Sequence, residues 1–241
     1  MPWDFILIFA ILAVVIPWRG YARMKELLAM PAVSSRQRIL LYVSTIAFQW
    51  ALAGFVFWRA RARNLTVAEL GFSPHATTIG VLAGALIGAS LLAWLNWANL
   101  RRMGKADPKR TARLRAVGAR IFPQSRHELI LFLALATTAG VCEEFLYRGF
   151  SMAAFARLEL PTWVVVFVSS LLFGLAHSYQ GRGGILGTLV LGTVFAGARI
   201  VYDSLIPVMV WHAAIDIAAG IAGPKYLLNA PAPAMLEETP V

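Results

Sequence analysis

Apolar residues run along this chain in long blocks separated by short basic stretches. That is the pattern of helices that each cross a bilayer core of about 30 Å with some 20 residues. The first block, residues 3–18, is short but carries Trp3 and Trp18 at its ends, where interfacial tryptophans belong. Further blocks cover 39–58, 78–100, 129 to a break at Leu160-Pro161, 162–177, about 185–202 and about 205–222. The expected fold is all-α: a polytopic membrane bundle of about seven transmembrane helices, with six as the alternative count because the first block is short. By sequence the chain divides into N-terminal helices with a basic segment (1–125), a helical core (126–223) and a flexible tail (224–241).

The polar stretches between the blocks give the expected topology. Residues 19–38 read as a basic loop, and no positive residue precedes the first block, the reverse of a signal peptide's charge order. Residues 101–126 are the most basic part. There Leu114, Val117, Ile121 and Phe122 recur at helical spacing, as in an amphipathic cytoplasmic helix on the inner leaflet. This places the protein in the cell membrane with its N-terminus outside and its C-terminus in the cytoplasm. Arg59, Arg61 and Arg63 then fall on an external loop against their own charge. Gly80, Gly84 and Gly88, four apart, make a face that another helix can approach closely.

Composition agrees with a membrane protein: 59% of residues are hydrophobic, 14% are charged and the mean hydropathy is +0.68. The net charge of +10 follows from arginines and lysines in short loops, where anionic lipid attracts them, and no groove-reading or base-stacking motif accompanies it. Membrane lipids are the expected partners, and nucleic acid is not. The lone Cys142 permits no intramolecular disulfide and reads as a small packing residue. His127-Glu128 begins like a zinc-protease motif, but position 131 is Leu.

The apolar blocks of the second half contain Glu143, Glu144, Arg148, His177, His212 and Asp216. Charges in such segments are costly and need partners and usually a task. Glu144 and Arg148 are four apart with the acid first, the favourable order for an ion pair across one turn. Glu143 is turned about 100° away and is the freer carboxylate. If the fourth and fifth helices form a hairpin about Leu160, Glu143 and His177 are at equal depth, roughly 25 Å from its tip at 1.5 Å per residue. By the same count His212 sits about 10 Å shallower, a gap that only tilt or a turn tucked into the bilayer would close.

Three motifs in order, Glu143-Glu144 with Arg148, Phe173 with His177, and His212 with Asp216, resemble the signature of the CPBP intramembrane proteases. That family includes the type II CAAX prenyl proteases and the bacteriocin-processing (Abi) proteins. The motifs span residues 143–216 and the resemblance covers the C-terminal half, with no motif match in residues 1–125. It implies that Glu143 and His177 activate a water and that His212 and the last motif residue help form an oxyanion site. The prenyl proteases carry Asn where this chain has Asp216. An ionised Asp cannot donate to an oxyanion, so Asp216 orients His212, binds a metal or is protonated.

The expected function is thus an intramembrane endopeptidase that hydrolyses a membrane-associated peptide or protein, a prenylated CAAX-type tail being one possibility. The candidate catalytic residues are Glu143, Glu144, His177, His212 and Asp216, with Arg148 and Phe173 supporting them. Glu143, His177, His212 and Asp216 are also a donor set for a divalent metal such as zinc, and the residues leave a metal or metal-free mechanism open. Two other classes remain: a non-catalytic scaffold or immunity protein of the same family, and a proton- or ion-coupled transporter. The sequence is silent on oligomeric state.

Overall fold

The computed structural model describes residues 1–73 and 78–228. Residues 74–77 of the expected external loop and 229–241 of the expected tail lie outside the described residues. Eight helices carry the fold: α1 (Trp3–Ala29), α2 (Ser35–Ala62), α3 (Ile79–Lys105), α4 (Pro108–Ile121), α5 (Arg126–Ala156), α6 (Thr162–Ala176), α7 (Arg182–Tyr202) and α8 (Ile206–Leu228). Six of them are long and apolar enough to cross a membrane, and α6 is a shorter apolar helix of 15 residues. The count is therefore six or seven according to α6, whereas the sequence placed the doubt on the first helix.

Two expected boundaries are corrected. Residues 19–29 are not loop, because α1 continues to Ala29 and buries Met24 and Leu27 against α4. Pro17 lies within this helix and lacks an N–H. A π turn at Ile11–Val15 directly precedes it, and such turns shift the helical ladder locally. After Met30 the chain breaks, and α2 begins at a capping box in which Ser34 and Gln37 satisfy each other's backbone N–H groups. At the other end, Pro224–Leu228 is not tail but a π turn continuing α8, with Leu227 buried beneath α3 and α4.

Contacts between helices fix their directions. Arg38 pairs with Glu128 and Gln49 with Glu143, so α2 and α5 run parallel. Gly88 lies against Trp211 and Asn96 donates to the Ile215 carbonyl, so α3 and α8 also run parallel. Gly140 meets Met209 and Ala213 while Gly220 meets Phe132, so α5 and α8 are antiparallel. The Gly80/Gly84/Gly88 face packs at two of its three positions, Gly84 under the Tyr202 ring and Gly88 under the Trp211 indole, with nothing near Gly80 among the described residues. The main core joins Phe5, Ile8, Leu12, Leu52 and Val56 from the first two helices to Cys142, Phe145, Phe150, Phe173, Phe195 and Val208.

The two ends of the bundle differ in charge. Around α4 lie 16 Lys and Arg against three acids (Glu26, Asp107, Glu128), and at the opposite end five arginines face four acids. Most of the opposite-end charges are paired within the protein. Asp4, 2% exposed, binds Arg59 at 2.6 Å and Arg63 at 3.1 Å; Arg157 pairs with Glu69, and Arg199 with Asp203. The three arginines that looked misplaced in sequence are thus engaged, Arg61 on the Leu65 carbonyl.

The amphipathic α4 is present, but its apolar face packs largely on protein: Val117 and Phe122 are buried among residues of α1, α3, α5 and α8. Its arginines cap chain ends. Arg120 donates to the Leu27 and Met30 carbonyls at the end of α1, and Arg115 to Gly104 of α3 and Leu227 of α8. Arg113 donates to Tyr179 and Gln180 in the 3-10 turn after α6. Helix C-termini present unpaired carbonyls at the negative end of the helix dipole, so guanidinium groups fit there.

Candidate active site

The site forms where α5, α6, α7 and α8 meet, with one residue from α2. On α5 the α-helical ladder ends at Glu144 and a π turn spans Phe145–Ser151, every residue of which is buried. The wider turn leaves backbone groups that side chains satisfy: Ser151 donates to the Leu146 carbonyl, and Ser169 of α6 to Tyr147. π turns are frequent at functional sites. Here the turn holds the Glu144 and Arg148 side chains together at 2.9 Å, both with no exposed surface.

Glu144 Oε1 accepts from Arg148 Nη1 and also lies 2.7 Å from His212 Nδ1. One carboxylate oxygen therefore links α5 to α8. The Arg148 guanidinium lies 4.2 Å from the centre of the Phe173 ring and 5.7 Å from that of Phe195, so aromatic faces cover the buried cation. Phe173 also contacts His177 and His212, with ring centres 4.7 and 5.8 Å away. It is the common wall of both histidines. Gly192 of α7 is needed beneath this stack, since a Cβ there would come 2.9 Å from Arg148 Nη2.

His177 is the residue at which α6 stops. Its Nδ1 is 2.9 Å from the Phe173 carbonyl. An imidazole that donates there leaves Nε2 as the nitrogen with a free lone pair. His212 has its second nitrogen, Nε2, 3.6 Å from Asp216 Oδ2. That distance is too long for a hydrogen bond but close enough for charge attraction. With carboxylates facing both ring nitrogens, the doubly protonated ring has a use for both N–H groups.

Glu143, turned about 100° from Glu144, makes no hydrogen bond to this cluster but lies within charge-interaction range of His212 and Arg148. Its Oε1 accepts from Gln49 Nε2 of α2 at 2.7 Å, and its Oε2 is buried with no hydrogen-bond partner among the described residues. It makes no direct bond to either histidine. The equal-depth count put Glu143 opposite His177, and in the structure each is held by a different neighbour. Trp211, beside His212, does not line the site: its Nε1 reaches the Gly84 and Ala85 carbonyls at 3.1 Å and fastens α8 to α3.

The depth gap for His212 is closed by the turn between α7 and α8. Ser204 and Leu205 have no exposed surface. Leu205 N–H donates to the Gly71 carbonyl, and the residue 65–73 segment covers the turn. Six residues separate Ile206 from His212 and twelve separate Glu144 from Ala156, so contact between Glu144 and His212 sets this turn about 10 Å below the end of α5 at helical rise. Gly71 has φ +94 and its Cβ would meet Leu205 and Arg199, so only glycine suits the position.

Two participants were not visible in sequence. Gln49 is an isolated polar residue in an apolar helix outside every motif, and Phe195 is one apolar residue among many. As for a metal, no three His, Cys, Asp or Glu side chains among the described residues gather as a metal site requires. Glu144 is engaged by Arg148 and His212, and His177 Nδ1 by a carbonyl.

Residues 125–218 match the sequence profile of the family described as type II CAAX prenyl endopeptidase, Rce1-like. The matched stretch contains α5 to α7, most of α8 and every motif residue named above, which is the region whose motifs resemble the CPBP proteases. Comparison with curated proteins and with solved structures gave no match.

Proposed function

We propose that this chain is a membrane-embedded endopeptidase that uses Glu143 to activate a water and cleaves a membrane-associated substrate toward the α4 end of the bundle. The observation that carries it is the division of labour between adjacent acids. Each acid keeps one buried oxygen without a partner among the described residues, but Glu144 Oε1 is engaged by both Arg148 and His212, whereas Glu143 meets only the neutral amide of Gln49. A carboxylate so placed is suited to take a proton from water, and a buried acceptor left unpaired is otherwise costly.

The remaining steps use this chain's own groups. His177 Nε2, with its lone pair free, accepts a hydrogen bond from the attacking water, receives the proton that Glu143 has taken from it and passes it to the leaving amine as the C–N bond breaks. As the carbonyl oxygen gains charge, His212 Nε2–H stabilises it, with Glu144 fixing the ring from behind and Asp216 lending negative charge. Asp216 thus acts by orienting and charging His212 rather than as a donor. The mechanism is proposed without a metal step.

Access favours the α4 end. Helix α6 has only 15 residues against 31 for α5, so it ends at His177, at the level of the site, and α6 covers none of the bundle on the α4 side of that residue. The excess of 16 cations over three acids there puts that end in the cytoplasm by the positive-inside rule. The N-terminus is then outside, and the substrate is cut near the inner leaflet.

The test is cleavage. Purified protein in liposomes is incubated with a library of membrane-anchored peptides, with and without prenyl groups, and products are identified by mass spectrometry. Discrete internal cuts by the wild type that are absent with His177→Ala support the reading; no product from any peptide class contradicts it. A transporter would show substrate flux without cleavage, and a scaffold would show neither.

A further inference from the structure

We infer that Gln49, outside the matched region, is a positioning residue for Glu143: its amide ties down one carboxylate oxygen so that the other faces the reacting water. The inference rests on Glu143 being the base. The Gln49 side chain is part-buried and donates from Nε2 to Glu143 Oε1 at 2.7 Å, the only hydrogen bond Glu143 makes among the described residues. The other oxygen of each group, Gln49 Oε1 and Glu143 Oε2, is buried and without a partner. These are two buried acceptors at the α2–α5 contact, and a water has two protons to offer them.

Helix α2 is itself held against α5 on both sides of this point. Arg38 pairs with Glu128 at 2.9 Å, with side chains 6% and 1% exposed, and Trp50 Nε1 donates to Thr138 Oγ1 at 3.3 Å. The amide therefore has a fixed base from which to orient the carboxylate, which is what a productive geometry requires of supporting groups. Fixing Oε1 removes the rotation that would exchange the two oxygens. It also places the donor on the oxygen that does not react. A structural cross-link alone has no need to end on the one carboxylate of the site that lacks any other partner, and Trp50 with Thr138 already supplies such a link one residue away.

The test compares Gln49→Met, which keeps length but has no donor, with Trp50→Phe, which removes the neighbouring cross-link. Two measurements are made on the purified full chain: kcat and KM for a cleaved peptide, and the rate at which an apolar carbodiimide labels Glu143, read by mass spectrometry. Gln49→Met is expected to lower kcat 10- to 100-fold with KM within threefold, the range expected for losing a hydrogen bond to a charged group. Its Glu143 is expected to label several-fold faster, because a carboxyl without that donor holds its proton and the protonated form reacts. Trp50→Phe is expected to leave kcat and labelling within threefold of wild type. Equal labelling of Glu143 in Gln49→Met and wild type overturns the inference, as does an equal effect of both variants. If no peptide is cleaved by wild type the proposed activity fails, while labelling still decides the role of Gln49.

Discussion

Glu144 Oε1 and His212 Nδ1 are 2.7 Å apart, and this contact ties the fourth long helix to the last at the level of the site. The same oxygen accepts from Arg148, so Glu144 is the hinge of a buried three-residue network. Removing one member of a buried pair leaves an uncompensated charge, at a cost of about 3–5 kcal/mol. Glu144→Gln is therefore expected to reduce folded yield sharply and to abolish cleavage. Adding Arg148→Met should restore much of the thermal stability, since no guanidinium is then left buried without its counter-charge. It should not restore activity, because His212 still lacks the negative charge of its carboxylate partner. Thermal unfolding in detergent alongside peptide cleavage separates the two effects.

Asp216 has a milder part. Its side chain is 38% exposed and approaches His212 Nε2 only to 3.6 Å. Asp216→Asn keeps the shape and adds a donor that can serve an oxyanion, so kcat should stay within about tenfold of wild type. Asp216→Ala provides neither charge nor donor and should fall further. Steady-state kinetics of the two variants rank these contributions.

Arg113 reaches the turn that follows His177 from a helix that touches none of the site residues directly. Arg113→Ala should loosen residues 178–181 without unfolding the bundle. Faster amide exchange confined to that turn, read by deuterium uptake, is the expected result, with a several-fold fall in kcat.

At the opposite end, Glu69 gives a pH-dependent test. Burial alone raises its carboxyl, but hydrogen bonds from Thr66 and the Arg157 guanidinium outweigh that and hold it below the ordinary carboxylate value of 4.5. A depressed folded value means that the stabilisation is complete above the unfolded value and is lost as pH falls through the folded one. The pair is 41% and 37% exposed, so its worth is screened to about 1 kcal/mol or less. Glu69→Gln should thus lower the unfolding temperature slightly at pH 7 and make no difference well below pH 4, as followed by thermal melts at both.

Much of the bundle is legible in sequence because membrane crossing demands long apolar runs, and the buried charges stand out against them. The Glu144–Arg148 pair follows from four-residue spacing alone. The fate of α1 beyond Trp18 is not legible, since its polar residues look like loop until α4 is known to pack on Met24 and Leu27. His212 looks too shallow until the Ser204-Leu205 turn is seen beneath the residue 65–73 segment. Gln49 carries no local signal because its partner lies 94 residues away on another helix. The basic residues of α4 read as lipid-facing charge, yet Arg113, Arg115 and Arg120 cap carbonyls of other elements.

The central claim is that Glu143, and no metal, provides the base. The most direct measurement is kcat for a cleaved peptide with wild type and Glu143→Gln in the same liposomes, each with and without a chelator. Expected are a fall of about 10²–10⁴-fold in Glu143→Gln, the range general-base catalysis supplies, with an unchanged unfolding temperature, and no effect of the chelator on wild type. Cleavage by Glu143→Gln within threefold of wild type, or loss of wild-type activity on chelation with recovery on adding zinc, would contradict it.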